Sequence, residues 1–145
     1  MQRKVIFILF LSLVVALHSC KQEDQKAEQE CAPLNPNGDS ELSLIMRKMA
    51  TLAEENARAI REGKELATYD GSFDKMLNAK RSMHIEEDFF QGMAKTYIST
   101  INKLYEAKPE ERLDLHNNLI QTCQSCHGET CRGPLKRIDK MIVTL

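Results

Sequence analysis

Cys123-Gln-Ser-Cys126-His127 concentrates more chemistry than any other stretch of this chain. Two thiols three residues apart, with an imidazole next to the second, form the Cys-x-x-Cys-His signature of covalent c-type haem attachment. On a helix, Cys123 and Cys126 occupy adjacent turns of one face, and His127, four residues after Cys123, projects over the same face. Each thiol can add its S–H across one porphyrin vinyl group to give a thioether, while the imidazole reaches the iron as proximal ligand. Three other uses of these thiols stay open at this stage. They are a zinc site built from Cys123, Cys126, Cys131 and a histidine, a redox-active pair, and a simple structural disulfide. Zinc favours knuckle-like turns over a motif that ends a long apolar helix, and redox pairs favour a βαβ context that the sequence lacks.

The elements that must position this motif begin with an export signal. Arg3 and Lys4 supply a positive start, and Val5 to Leu17 is apolar apart from Ser12. The run is short for a permanent bilayer span. It ends in Leu17-His18-Ser19-Cys20, which resembles a bacterial lipobox with His18 in place of the usual small or β-branched residue. Residues 1–19 are therefore expected to be a lipoprotein signal peptide, with Cys20 taking the lipid; an uncleaved N-terminal anchor helix is the alternative. Residues 20–38 are read as tether and loop, polar at first and then punctuated by Pro33, Pro36 and Asn37-Gly38. Residues 39–145 form the expected folded domain, exported and lipid-anchored to a bacterial membrane. Lys21-Gln22-Glu23-Asp24 resembles a surface-sorting patch of Bacteroidota lipoproteins. The formal charge is −1, and becomes more negative by two once Arg3 and Lys4 leave. No basic stripe with interleaved aromatics is present, so nucleic acid is not an expected partner.

From Asp39 onward the periodicity is helical. Asp39 or Ser40 caps a first helix whose stripe runs through Leu42, Ile45, Met46, Met49, Leu52, Ala53 and Ile60 as far as Gly63. After Asp70-Gly71, Ser72 is expected to cap a short helix with Phe73, Met76, Leu77 and Met83 on one face. A third helix starts near Glu86 and carries Phe89, Phe90, Met93, Tyr97, Ile101 and Leu104. Pro109 sits in the first turn of a fourth, which turns Leu113, His116, Leu119, Ile120, Cys123 and His127 inward. Gly133-Pro134 leads into a last short helical segment, Leu135 to Val143. No period-two run is long enough for a strand, so the expected fold is all-α, an antiparallel four-helix bundle with the haem motif on its last long helix.

Cysteine arithmetic fits an oxidising compartment. Of five cysteines, Cys20 is expected to be lipidated and Cys123 and Cys126 to hold haem; the remaining Cys31 and Cys131 are expected to form a disulfide, two buried free thiols being the alternative. Closing a loop of about 100 residues contributes up to roughly 4–5 kcal/mol by chain entropy. Arg47 and Arg132 are candidates to pair with the haem propionates, because the guanidinium fork suits a carboxylate.

Helix count and motif position together resemble the cytochromes c-prime and their low-spin c-556 relatives, four-helix bundles with haem c on the last helix. The resemblance covers about Asp39 to the end. The segment Asn35 to Met49 is also similar to the start of small Bacteroidota lipoprotein cytochromes. Family members usually carry a basic residue or an aromatic-Arg pair just after the motif, where this chain has Gly128-Glu-Thr-Cys131-Arg132. The low-spin branch implies a methionine of the first helix as distal iron ligand, and Met46 occupies the matching region, with Met49 one turn on. The resemblance also implies a possible homodimer. A methionine is equally an ordinary core filler, and an open distal site is the third possibility, while His84 and His116 are lesser ligand candidates. With Met46 and His127 both on iron, the expected function is electron transfer to redox partner proteins outside the cytoplasm. With His127 alone, it is binding of NO or CO. No nucleophile–base arrangement is evident, so no enzymatic role is expected.

Overall fold

A computed structural model describes residues 39–144. The expected signal peptide, Cys20, the expected tether and Cys31 lie outside the described residues. Three long helices dominate: α1 (Glu41–Arg61), α2 (Glu87–Glu106) and α3 (Arg112–Thr130), followed by a single turn, α4 (Leu135–Ile138). There is no strand among the described residues, and no helix among them is long and apolar enough to cross a membrane.

Both ends of α1 follow from local chemistry. The Ser40 hydroxyl accepts from the Ser43 N–H at 3.2 Å, Glu41 stands at the positive end of the dipole, and Arg58 and Arg61 stand at the negative end. The helix stops where Gly63 takes φ +62°. The Lys64 N–H reaches the Ala59 carbonyl at 2.8 Å and the Gly63 N–H reaches that of Ile60 at 3.2 Å. This pair of bonds is the Schellman arrangement, which needs a left-handed residue and hence favours glycine.

The chain after α1 is tied down by one buried polar side chain. Asn56 is 1% exposed. Its Nδ2 donates to Tyr105 Oη at 2.9 Å, its Oδ1 accepts the Ala67 N–H at 3.0 Å, and the Tyr105 hydroxyl donates to the Ala67 carbonyl at 2.8 Å. Tyr69 then packs between Phe73 and Tyr105, with ring centroids 5.1 and 5.2 Å away. Asn56→Ala strands several of these groups together. An unfolding midpoint in urea should report a loss of about 2–3 kcal/mol, and an unchanged midpoint would mean that the network contributes nothing.

The expected second helix is corrected here. Ser72–Asn78 is a seven-residue 3-10 helix entered from Gly71 at φ +75°, with Gly71 rather than Ser72 in the cap position. Phe73 and Met76, three apart, are its buried residues, which suits three residues per turn. It ends because the following segment bonds elsewhere: the Lys80 carbonyl accepts the free Leu42 N–H of α1 at 3.0 Å, and the Lys80 N–H donates to Glu41 Oε2 at 3.1 Å. Met83 falls beyond this helix and is largely exposed.

Glu86 caps α2 by accepting the Asp88 and Phe89 N–H groups at 3.0 and 2.6 Å. Phe90, Ala94, Tyr97, Ile101 and Leu104 are buried at intervals of three and four. A turn through Pro109–Glu111 returns the chain as α3, so α2 and α3 make a helical hairpin. Its closed end is dry: Ile101, Leu104, Leu119 and Ile120 are at most 1% exposed. A large-to-alanine change at any of these costs about 2–5 kcal/mol.

The C-terminal strap, α4 with the 3-10 turn Asp139–Met141, lies back over this end. Asn117 and Val143 exchange two bonds of 2.9 Å. The His116 Nε2 stands 2.9 Å from the Met141 carbonyl, so that nitrogen carries the proton. Nδ1 is buried without a partner, and burial holds the imidazole pKa below its ordinary value. His116 is thus a core residue whose Nε2 is already engaged. A second proton on Nδ1 would have no acceptor, so the unfolded state takes up protons first. Stability contributed by neutral His116 is complete above the ordinary histidine pKa near 6.5 and is lost as pH falls from there through the lower folded value. Unfolding midpoints at pH 7.5 and 5 should show this decline, with a shallower slope for His116→Gln.

Candidate cofactor cavity

Between the open end of the hairpin and α1 lies a cavity of about 430 Å³, within the size range of small-molecule and cofactor sites. It exists because the facing stripes change character. Ala50 and Ala53 of α1 and Ala94 of α2 stand where larger side chains would fill the space, and all three line the wall. On α3, full burial ends at Ile120. The later inward positions Cys123, Cys126 and His127 are half-buried, because they face the cavity and not another side chain.

Cys123, Cys126 and His127 line the same cavity as Met46 and Met49. A five-residue stretch and two residues nearly eighty positions upstream are thus brought to one space. Burial, and secondarily Cys126, push the Cys123 thiol up to about 12, and burial also raises Cys126. Such thiols stay neutral, unlike those of reactive dithiol pairs. The His127 ring is oriented: its Nδ1 lies 3.0 Å from the Cys131 carbonyl. A proton on Nδ1 makes that bond and leaves Nε2 as the nitrogen with a free lone pair, the usual preparation of a histidine ligand. Cys131 also ends the helix, its N–H bonding the His127 carbonyl at 3.1 Å.

The cavity is rich in thioethers. Besides Met46 and Met49, Met76, Met83, Met93 and Met141 line it, which accounts for every methionine of the described residues. Met49 is 8% exposed and packed in the core, whereas Met46 is half-buried at its edge. Arg47 lines the wall, but both its terminal nitrogens are engaged by Asp39 at 2.5 and 2.6 Å. Arg132 is exposed, is not part of the wall, and donates its Nε to the Gly128 carbonyl at 3.1 Å. His84 is exposed and does not line the cavity. Sequence reading missed Arg81, which lines the wall with a buried Nη1 lacking any partner. No periodic signal marks it, since it lies in an irregular segment.

Among the described residues no three His, Cys, Asp or Glu side chains converge to hold a metal ion, so a zinc site of protein donors has no donor set there. The lining does hold what a c-type haem would need, two thiols, one imidazole and a largely apolar enclosure. No protein-family model matches this chain, and no characterised protein or solved structure does.

Proposed function

We propose that this chain is an exported c-type cytochrome that carries one haem and transfers electrons outside the cytoplasm. The observation that carries the reading is that both thiols and the imidazole of the Cys-x-x-Cys-His stretch line one apolar cavity together with Met46. Bound there, haem supplies an iron centre that cycles between two oxidation states. Cys123 and Cys126 hold it by thioethers. His127 would bind iron through Nε2, with the ring fixed by the Cys131 carbonyl. Met46 would supply a second iron ligand; its side chain is less committed to packing than that of Met49, and a thioether favours the ferrous state and raises the potential. The apolar wall would keep water from the metal.

In this reading the architecture is a variant of the four-helix bundle whose second member is reduced to the 3-10 turn Ser72–Asn78. Cys20 anchors the chain to a membrane through lipid, and a Cys31–Cys131 disulfide steadies the end of α3. Partners are redox proteins that meet an exposed haem edge.

Visible spectra of the purified full chain, oxidised and dithionite-reduced, with and without CO, test the proposal. Sharp low-spin bands that CO leaves unmoved are expected. Met46→Ala should convert them to a high-spin ferrous spectrum that shifts on adding CO, with Met49→Ala close to the unaltered protein. An unaltered protein that is already high-spin and CO-reactive would instead make it a five-coordinate binder of NO or CO.

A further inference from the structure

Three arginines line the cavity, Arg47, Arg81 and Arg137, and their guanidiniums differ in what they have left to give. Arg47 spends both terminal nitrogens on Asp39, and its side chain is 53% exposed. Arg137 holds Glu54 through Nε and Nη2 at 2.7 and 2.9 Å, and is 49% exposed. Arg81 is only 23% exposed. Its Cζ lies over the Phe90 ring, 4.5 Å from the centroid, and its Nη2 pairs with Glu87. Nη1 is buried and has no partner.

A buried charged donor left unpaired costs several times what an exposed one does, so such a group marks a place where an acceptor belongs. The guanidinium fork can serve two carboxylates at once, with its orientation fixed here by the ring beneath it. We propose that Arg81 is the carboxylate anchor of the cavity: its Nη1 receives a propionate of the haem while Nη2 keeps Glu87. The inference rests on the haem reading and adds which residue binds the acidic edge. Vinyl and propionate groups lie on opposite edges of the macrocycle, so the anchor must come from an element other than the thiol-bearing α3. Arg81 satisfies this from the segment between the 3-10 helix and α2.

The test compares mesohaem with mesohaem dimethyl ester, binding to the full apo-chain with its thiols reduced. Neither can form thioethers, because ethyl groups replace the vinyls, and the ester cannot offer a carboxylate. Esterification should weaken binding about ten- to a hundredfold. Arg81→Gln should weaken mesohaem by a similar factor and the ester hardly at all, so the two losses do not multiply. Glu87→Gln removes the ion pair but not Nη1, and should leave mesohaem affinity intact. The ester comparison on the unaltered chain needs no variant to fold. Equal affinity for acid and ester, or losses that multiply, would overturn the assignment to Arg81. If the exported protein nonetheless shows a c-type spectrum, the haem reading stands without it. No binding of mesohaem at all, with no such spectrum, overturns both.

Discussion

Cys123→Ala combined with Cys126→Ala should abolish covalent haem altogether. The two thiols line the cavity and are free of disulfides, and in the proposed function each contributes one thioether by adding its S–H across a vinyl group. With both gone, any haem held by His127 and the apolar wall should come away in acidified organic solvent, whereas in the unaltered protein it should stay with the polypeptide. Each single variant should keep one thioether and therefore resist extraction. The same double variant should be far less stable, because ordering the walls of a cavity of about 430 Å³ depends on what fills it, and poorly filled apolar space costs about 24 cal/mol per Å³. Urea unfolding of the two proteins side by side checks this. A double variant that keeps its haem through solvent extraction would show that these thiols are not the attachment points.

The second large effect belongs to His127. His127→Ala removes the imidazole whose Nδ1 is held by the Cys131 carbonyl at 3.0 Å, and with it the proposed proximal ligand. The thioethers should still form, so haem content should change little while the low-spin spectrum collapses and the ferrous form becomes open to CO. His116→Ala should leave the spectrum as it was, since that ring bonds the Met141 carbonyl and lies outside the cavity wall. This contrast separates ligand from core histidine. Equal spectra for His127→Ala and the unaltered protein would remove the role assigned to His127.

What the sequence disclosed, and what it did not, follows from the range of the forces involved. The start of α1 at Ser40 and its stop at Gly63 depend on bonds within a few residues, and both are legible. So are the α2 stripe and the proline turn into α3. The segment from Ser72 is different. Phe73 and Met76 are three apart, a spacing that serves a 3-10 helix as well as an α-helix. Its end is decided by Lys80 bonding to the start of α1, a tertiary contact with no local signature. Hence an expected helix through Met83 becomes a seven-residue turn.

The site shows the same division. The thiols and the imidazole announce themselves by spacing. The periodicity places His116 on the same inward face, and only the Met141 carbonyl separates it in function. Arg47 is a reasonable anchor on its position beside Met46, but Asp39 has folded back to occupy it. Arg81 has no pattern at all and is visible only once Phe90 and Glu87 surround it. The alanines that open the cavity read in sequence as ordinary helix formers. That they leave space is a property of the neighbouring helices.

The most direct test of the central claim is mass spectrometry of the denatured protein, produced in cells with a haem-attachment system and then cut with trypsin. The peptide Leu113–Arg132 contains Cys123, Cys126 and His127 and no internal cleavage site. This peptide should carry the added mass of one haem, which reduction of disulfides does not release. A peptide of bare polypeptide mass, or one lighter by two hydrogens with Cys123 and Cys126 joined to each other, would contradict it.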